Sequence, residues 1–475
     1  MSTITSPNLD AVSKMSFKVI DLIKNIPPSA RRILEVTDRG TELVDIFWSR
    51  APLAAITSLR PGDVSGDQRF DCVALFSSGV DMDVMVELFK GLPAKGQIIA
   101  APDAIDPALL EALAEANCHI FDREPVLRAW RSGEAPPSIA LHCSITPEMV
   151  NDADIRVHQP NSFLRTIPGL RPMAQVEYLS PSLSAGFESR ILLMHRSILH
   201  PGRDRSFLKK VIAGGYLIVL DLDDDPDYFP GLFENDAFAL RCLHAAQVST
   251  PGIADRLREY VSEIAILPNH LPVLPPVRIK TEPITRVFIG AYNRSEDWAE
   301  ISNQANRVLG YFGESVQIEV LHDRRVFGGL VAPNKRFTPR CSYSLYLELL
   351  GSCDIALLPL RDTAFNRCKS DLKFVQCAAY GVAALAPMPV YANSVEDGQT
   401  GVLYRSPSEF MTGLQRLIQE PELRDHLTAQ ARDSAMNKRM LADHYEGRHA
   451  WYLDLIGKCP ALCADHRVKV PELYD

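Results

Sequence analysis

Short apolar runs alternate with segments of helical length from about Arg31 onward. Buried strands separated by such segments are typical of parallel sheets with crossover helices. The pattern therefore predicts an α/β fold. In the first third of the chain, the predicted strands are Ile33–Val36, Ala54–Leu59, Cys72–Phe76, Gln97–Ala101 and Cys118–Phe121.

Two interruptions divide the pattern into units. It breaks over residues 143–154, and again in the proline-rich segment 267–283, where prolines remove amide donors and stiffen the backbone. We therefore predict domains at 1–150, 151–275 and 276–425, followed by a helical tail at 426–475. The strands predicted in the second and third domains are Arg190–Met194, Tyr216–Leu220, Ile264–Leu267, Arg286–Ile289, Gln317–Leu321, Asp354–Leu358, Ala383–Ala386 and Gly401–Tyr404.

The composition is that of a folded globular chain. Of the 475 residues, 46% are hydrophobic and 23% are charged, which argues against disorder and against a coiled coil. The net charge of -9 provides no overall positive field. We therefore do not expect nucleic acid as a partner, although a local basic pocket is not excluded.

No segment has the pattern of an export signal or a membrane helix. Residues 1–21 lack the basic start and the long apolar core of a signal peptide. No apolar run approaches the roughly 20 residues that a membrane helix needs. We expect a cytoplasmic protein whose association with membranes, if any, is peripheral.

The ten cysteines are scattered, mostly within apolar or helical segments. This distribution predicts reduced thiols rather than a disulfide framework. Cys459, Cys463 and His466 form the one tight group and could supply three zinc ligands, but no fourth ligand lies nearby. We therefore expect no metal and interpret the group as part of the tail.

The segment DIALLPLRDTAFNRCKSDLKFVQCAAYGVAALAP predicts a strand, a polar loop, a helix and a second strand. On that helix Lys369, Lys373 and Gln376 share one face, which is predicted to be solvated. Lysines near a helix N-terminus do not complement the helix dipole, whereas a phosphate satisfies both the lysines and the free amides. The helix therefore predicts an anion site. The alternative is a solvated face with both lysines near Asp371.

A second polar cluster occurs in VFIGAYNRSEDW. Gly290 permits a tight turn at the carboxyl end of a strand, where open α/β sheets bind their ligands. Arg294 follows, next to Asn293, and a guanidinium there could hold a phosphate through two hydrogen bonds. The alternative is an ion pair of Arg294 with Glu296 or Asp297. Two basic clusters at strand ends favour a diphosphate.

Residues from about 150 to 455 resemble the group 1, family 4-like glycosyltransferases of the GT-B fold. The resemblance rests on KSDLKFVQCAAYGVAALAP, VYANSVEDGQTGVLYRSPSEF, CSYSLYLELLGSCDIALLPL, FIGAYNRSEDW and AAQVSTPGIADRLREYVSEIAILPNHL. It implies two Rossmann-like domains that face each other across a cleft. It also implies that the C-terminal domain holds the nucleotide sugar and that the last helix crosses back to the N-terminal half.

The resemblance implies a role for each matching residue. Arg294, Lys369 and Lys373 are the expected catalytic residues, which stabilise the diphosphate leaving group. The expected donor-binding residues are Gly290, Asn293, Ser370, Asp371 and, near the ribose, Gln376. The nucleotide diphosphate sugar is a substrate, so no cofactor is expected, and the acceptor is a glycan or a lipid-linked molecule.

The sequence also departs from that family. Its members commonly carry two glutamates eight positions apart, and here these positions are Cys368 and Gln376. Where many relatives have a histidine in the cleft, this chain has an aspartate run that begins at Asp221. We expect the acceptor side of the cleft to be formed by His195, Arg196, Asp223 and Asp224.

Residues 31–125 resemble a class I S-adenosylmethionine-dependent methyltransferase core, in segments such as ILEVTDRGTEL and FDCVALFSS. The glycine positions of the cofactor loop are here Thr37, Arg39 and Thr41. Side chains at these positions block the close approach of backbone to ligand. We therefore predict a degenerate, additional Rossmann-like domain that does not bind S-adenosylmethionine, in which Glu35 is kept for structural reasons.

The favoured function is retaining transfer of a hexosyl group from a nucleotide diphosphate sugar to a glycan or lipid-linked acceptor in polysaccharide biosynthesis. One alternative is an inactive, glycosyltransferase-like scaffold or binding protein, suggested by Cys368 and Gln376. A second alternative is a bifunctional methyltransferase and glycosyltransferase. The identities of sugar, base and acceptor depend on loops such as 332–343 and 160–172, which no motif fixes.

Overall fold

Three six-stranded sheets organise the chain. The structure is a computed structural model that describes residues 22–38, 54–132, 135–147, 153–176, 186–278, 283–290, 292 and 294–474. Each sheet has its own hydrophobic core, and helices cover the sheets. The predicted α/β class is confirmed.

The first sheet has the order β2-β1-β3-β4-β6-β5. Strands β1 to β4 are parallel, whereas β5 and β6 form an antiparallel pair at one edge. One face packs against two helices, through side chains such as Phe89 and Leu113. The strands are Arg32–Val36 (β1), Ala55–Leu59 (β2), Cys72–Leu75 (β3), Gln97–Ala100 (β4), His119–Asp122 (β5) and Leu127–Trp130 (β6).

The second sheet is entirely parallel, with the order β12-β11-β10-β9-β7-β8. It begins at Ile139, before the predicted boundary at 150. The prediction placed the boundary at the polar break, but the buried strand that precedes this break pairs with β8 and β9. The strands are Ile139–Ile145 (β7), Leu170–Val176 (β8), Ser189–His195 (β9), Tyr216–Leu222 (β10), Ala245–Val248 (β11) and Ile264–Ile266 (β12).

The third sheet is also parallel, and its order is β15-β14-β13-β16-β17-β18. Numbered within the unit, this is the doubly wound order 3-2-1-4-5-6. The second and third units face each other across a cleft, which is the arrangement expected of a GT-B fold. The strands are Thr285–Gly290 (β13), Val316–Leu321 (β14), Lys335–Thr338 (β15), Ile355–Leu357 (β16), Ala383–Pro387 (β17) and Val402–Tyr404 (β18).

Helices connect the strands, and a π-helical turn over Asp154–His158 precedes the third of them. None of the helices among the described residues is both long and apolar enough to cross a membrane. The helices are Met82–Lys90 (α1), Pro107–Glu115 (α2), Gln159–Leu164 (α3), Pro201–Ala213 (α4), Glu234–Arg241 (α5), Pro251–Leu257 (α6), Ser295–Ala299 (α7), Ser302–Phe312 (α8), Arg324–Gly329 (α9), Tyr343–Gly351 (α10), Ala364–Arg367 (α11), Leu372–Tyr380 (α12), Met388–Tyr391 (α13), Pro407–Gln419 (α14), Pro421–Lys438 (α15), Tyr445–Gly457 (α16) and Cys459–Lys469 (α17).

The last helices return from the third unit to the second. Helix α15 packs against α12. At the crossing point, the backbone amide of Leu271 donates to the carbonyl of Arg439 at 2.8 Å. Beyond it, Tyr452 and Leu455 of α16 lie in the core of the second sheet. The predicted tail at 426–475 therefore divides, because its first part belongs to the third unit.

Candidate functional site

The strand order of the third sheet fixes where a ligand can approach. Strands β13 and β16 are neighbours, and the chain winds away from them in opposite directions, which opens a crevice at their carboxyl ends. A cavity of about 390 Å³ lies at this point, between the second and third units. It is lined by Asp154, His158, Gly290, Tyr292, Leu321, His322, Arg340, Cys341, Ser342, Tyr343, Tyr346 and Lys373.

Gly290, one of the predicted donor-binding residues, ends β13 at the edge of this cavity, which we name the donor cavity after that prediction. A Cβ atom built there would stand 3.0 Å from the ring of Phe288 and 3.8 Å from Nζ of Lys373. The first distance is shorter than almost all real Cβ contacts. A larger residue at this position would therefore push into the aromatic ring.

Lys373 lies in the first turn of α12 and is partly buried. Its Nζ donates to the carbonyl oxygen of Gly290 at 3.0 Å. No carboxylate of a described residue forms a salt bridge with it. Burial, together with the positive charges of Arg294 and Lys369, lowers the pKa of Lys373 to about 7. An anion beside this ammonium would compensate its positive charge.

Arg294 and Lys369 each carry a carboxylate partner. Nη1 of Arg294 lies 3.2 Å from Oδ2 of Asp297, so the ion pair that we considered as an alternative is present. Lys369 is paired with Asp224 of the second unit, across the cleft, and its ammonium lies 4.4 Å from the centre of the Phe365 ring. Both cations nevertheless act electrostatically on Lys373. The structure thus brings the three predicted catalytic residues together.

Ser370 and Asp371 connect the third unit to the second unit and to the crossing segment. Asn269 donates to Oγ of Ser370 at 3.1 Å. Asp371 forms two hydrogen bonds with Arg439. Among the described residues it forms no salt bridge with Lys369 or Lys373, whereas the alternative of a solvated face placed both lysines near it. Because the Asp371 side chain does not cap α12, it does not occupy the first amides of that helix. An anion could therefore receive hydrogen bonds from them.

Gln376 is not on a solvated face, contrary to our prediction. Only 2% of it is exposed. Its amide nitrogen donates to the hydroxyl of Tyr343 and its oxygen accepts from Tyr346, both at 2.8 Å. Burial is tolerated because both polar groups are satisfied. Gln376 thus orients two tyrosines that line the donor cavity.

Cys368 is likewise buried, and it packs against the core of the second unit. Its carbonyl accepts a hydrogen bond from Oγ1 of Thr250 at 2.9 Å. Burial raises the pKa of the Cys368 thiol to about 12, so the thiol is neutral at physiological pH. This position therefore provides neither a carboxylate nor a thiolate.

A buried charge cluster lies beneath the acceptor side of the cleft. Asp221, Arg156 and His195 are all fully buried. Asp221 accepts from Nη2 of Arg156 at 2.7 Å, from His195 Nδ1 at 2.8 Å and from Gln247 at 2.7 Å. Burial alone would raise the pKa of Asp221, but Arg156 and His195 hold it below its usual range. The structure thus places His195 in the core rather than on the surface of the cleft.

The other residues predicted for the acceptor side are closer to solvent. Arg196 is bonded to Asp223 through Nε at 2.7 Å and lies 3.8 Å from Asp224. Burial would raise the pKa of Asp223, but Arg196 keeps it low. The aspartates are therefore paired with cations. No group of three or more His, Cys, Asp or Glu residues in the described part of the chain is placed to hold a metal ion.

Sequence reasoning missed an aromatic group in the donor cavity. The rings of Tyr292 and His322 lie 4.5 Å apart, and the guanidinium of Arg340 lies 5.3 Å from the Tyr292 ring. His322 has a φ of 78°, which turns the chain sharply just after β14. Flat rings beside a cation suit a nucleobase. The available signal was the position of these residues after strand ends.

Part of the first unit and one donor-site residue cannot be compared with the predictions. Asn293, Arg39 and Thr41 lie outside the described residues. Glu35 is fully buried and accepts a hydrogen bond from Ser58, and burial raises its pKa to about 7. The absence of S-adenosylmethionine binding therefore stays a prediction.

The group near the C-terminus is packed into the second unit. The sulfurs of Cys459 and Cys463 lie 3.7 Å apart, and Cys463 lies 3.9 Å from Nε2 of His244. His466 stacks on His244 and contacts the carbonyl of Cys242 at 2.9 Å. These contacts give the group a packing role in the tail.

Comparison with known proteins gives matches among solved structures only. No family model matches the chain, and no curated protein matches it. A glycosyltransferase from Rickettsia africae is 10% identical with a TM-score of 0.49, and HepE from Anabaena in complex with UDP and glucose is 10% identical with a TM-score of 0.48. Each comparison covers 67% of this chain and 99% of the other.

TarM is 10% identical with a TM-score of 0.42, over 56% of this chain and 54% of TarM. The chain thus spans about half the length of TarM. At such identities, the functional interpretation of the site rests on the geometry of this chain. That geometry is a doubly wound sheet with three converging cations at its switch point.

Proposed function

We propose that this protein is a glycosyltransferase that transfers a hexosyl group from a nucleotide diphosphate sugar to a glycan or lipid-linked acceptor, with retention of configuration. The observation that carries the proposal is that Lys373, in the first turn of α12, donates to the carbonyl of Gly290 at the carboxyl end of β13, with the positive charges of Arg294 and Lys369 nearby. Cations and helix amides together suit a diphosphate. The adjoining cavity has room for the nucleoside and the sugar.

In this proposal catalysis is electrostatic. Cleavage of the sugar–phosphate bond leaves negative charge on the diphosphate. Lys373 gains most from it because, unlike Arg294 and Lys369, it forms no salt bridge with a carboxylate of a described residue. Arg294 and Lys369 contribute when the diphosphate competes with Asp297 and Asp224. Facing units exclude water from the cleft, which favours transfer over hydrolysis.

The nucleobase has a defined place in this proposal. It stacks on Tyr292 and His322, with Arg340 beside them. Tyr343, held by Gln376, faces the same cavity. Gln376 is therefore a positioning residue that acts through tyrosine rather than a direct ligand of the ribose.

The inactive scaffold is the second candidate, because Cys368 is buried and neutral and Gln376 is engaged by two tyrosines. A panel of nucleotide sugars separates the two. Thermal shift finds the bound donor, since a ligand at 100 times its Kd adds about 2.7 kcal/mol of stability. Release of nucleoside diphosphate from that donor then decides. If the protein is an enzyme, the wild type should release nucleoside diphosphate and Lys373→Gln should not. If it is a scaffold, the wild type binds the donor but releases no nucleoside diphosphate.

A further inference from the structure

A second cavity lies next to the donor cavity. It has a volume of about 220 Å³ and is lined by Lys24, His158, Asn161, Ser162, Arg165, Pro172 and Ala174. His158 lines both cavities. The two cavities therefore lie on either side of His158, and the second cavity is on the surface of the second unit.

The charges of this second cavity are of one sign. Lys24, His158 and Arg165 are exposed, and the described residues that line the cavity include no carboxylate. In the described chain, neither Lys24 nor Arg165 has a hydrogen bond or an ion pair through its side chain. Arg165 also lies near Arg128. Burial lowers the pKa of Arg128, and the positive charge of Arg165 lowers it further. Two cations that line one cavity without a carboxylate partner among the described residues attract an anion.

Buried and hydrogen-bonded residues form the floor of the cavity. Asn161 and Pro172 are buried. The Asn161 amide is fixed by Cys143, whose sulfur accepts from Nδ2 at 3.3 Å. Ligand pockets for drug-sized molecules span about 300–1,000 Å³, so the smaller volume here suits one charged sugar residue.

Lys24 reaches this cavity from the first unit. Its neighbours Leu22, Ile23 and Ile26 are buried in the core of the first sheet, which fixes the position of the segment. Arg165 follows α3, where the helix dipole favours a cation. The helix dipole stabilises the charge of Arg165 but not that of Lys24. It therefore does not explain why both cations line the same cavity.

We propose that the second cavity is an acceptor subsite for a phosphorylated sugar. The point charge of Lys24, the planar fork of Arg165 and the ring of His158 can each bond a phosphate oxygen. This inference rests on the proposed glycosyltransferase function, because the donor cavity would deliver the sugar next to His158. It also gives the first unit a function, which is to supply one cation of the acceptor site.

Calorimetric titration of the full chain tests the subsite, with glucose 6-phosphate as the probe and glucose as its neutral counterpart. We expect glucose 6-phosphate to bind, and glucose to bind at least tenfold more weakly. Arg165→Gln and Lys24→Gln should each lower the affinity for glucose 6-phosphate by about tenfold, which corresponds to the contribution of one charged hydrogen bond. Arg171→Gln is the matched control, because Arg171 is exposed on β8 and does not line the cavity.

A reciprocal measurement keeps this test separate from the donor site. Arg165→Gln should retain the affinity for nucleoside diphosphate, and Lys373→Gln should retain the affinity for glucose 6-phosphate. Loss of nucleotide binding alone would count against the donor site only. The subsite is overturned if glucose binds as well as its phosphate, if Arg171→Gln has the same effect as Arg165→Gln, or if the protein binds only phosphatidylglycerol vesicles.

Discussion

Lys373 shows how a single residue links burial to chemistry. Its ammonium lies in the first turn of α12, close to Arg294 and Lys369, and it is bonded only to a carbonyl among the described residues. Its charge is therefore unfavourable by itself and favourable beside an anion. A lowered lysine pKa in a cleft marks a functional group when geometry agrees with it.

This residue predicts a pH dependence. The pKa of Lys373 is about 7 in the free protein, and a bound diphosphate raises it. Affinity for nucleoside diphosphate should therefore be full below pH 7 and should fall by up to tenfold per unit between pH 7 and 9, where the phosphates are already ionised. Titrations at pH 6.5, 7.5 and 8.5 measure this. Lys373→Arg should abolish the dependence, and an equal slope in that variant would contradict the assignment.

At the scale of the elements, the end of β10 separates a fully buried acid from one that is closer to solvent. Asp221 is fully buried and shared by Arg156, His195 and Gln247. Asp223 faces Arg196 nearer the cleft. Side chains two positions apart in a strand point to the same face, and Asp223 directly follows the last residue of β10, so it lies beyond Asp221 towards the edge of the sheet.

Asp221→Asn should destabilise the protein strongly. The change leaves Arg156 buried without its counter-charge, and loss of one partner of a buried pair typically costs about 3–5 kcal/mol. The matched control is Asp223→Asn, whose partner Arg196 is partly exposed. Urea denaturation should show a much smaller loss in that variant. Equal losses would mean that the cluster around Asp221 does not stabilise the second unit.

The strands that the sequence predicts are those with uninterrupted apolar runs. β1, β10 and β17 were found because parallel strands are buried on both faces. β8 was missed because it is an edge strand that contains Pro172 and exposed residues, and β15 because three of its four residues are polar. β7 was missed because His142 and Ser144 interrupt its apolar pattern, although both are buried.

The candidate site was only partly predictable for a similar reason. Lys373 and Gly290 lie next to apolar runs, from which their positions could be predicted. Lys369 was predicted on the same helix, but α12 begins only at Leu372, so Lys369 precedes it. Gln376 was expected in solvent because its side chain is polar. Its partners Tyr346 and Tyr343 lie 30 and 33 residues away along the chain, so the sequence does not show that they meet. Tyr292, His322 and Arg340 come from loops whose shape depends on tertiary contacts.

At the scale of the whole molecule, contacts across the cleft connect the third unit to the second unit. Lys369 pairs with Asp224, and Asn269 links Arg156 of the second unit to Ser370. The crossing segment adds Arg439, which binds Asp371. These contacts hold the predicted donor-binding residues of the third unit directly against the second unit.

The bridge between Lys369 and Asp224 predicts an effect on affinity. Asp224→Asn removes the carboxylate that competes with phosphate for Lys369. The variant should therefore bind nucleoside diphosphate several-fold more tightly, whereas Lys369→Gln should bind it more weakly. Titration calorimetry at low ionic strength measures both, because salt screens such effects. Tighter binding is not expected of Asp227→Asn, whose partner is Arg256. Unchanged affinity in Asp224→Asn would place Lys369 outside the diphosphate site.

The affinity of nucleoside diphosphate for wild type and Lys373→Gln tests the central claim most directly. A charge-assisted hydrogen bond contributes about 1.5–3 kcal/mol, so we predict at least a tenfold loss at pH 6.5 with an unchanged melting temperature. Arg294→Gln should lose affinity as well, and Lys210→Gln, an exposed lysine on α4, should not. If Lys373→Gln and Arg294→Gln both bind as tightly as wild type while remaining folded, the three cations do not form the donor site.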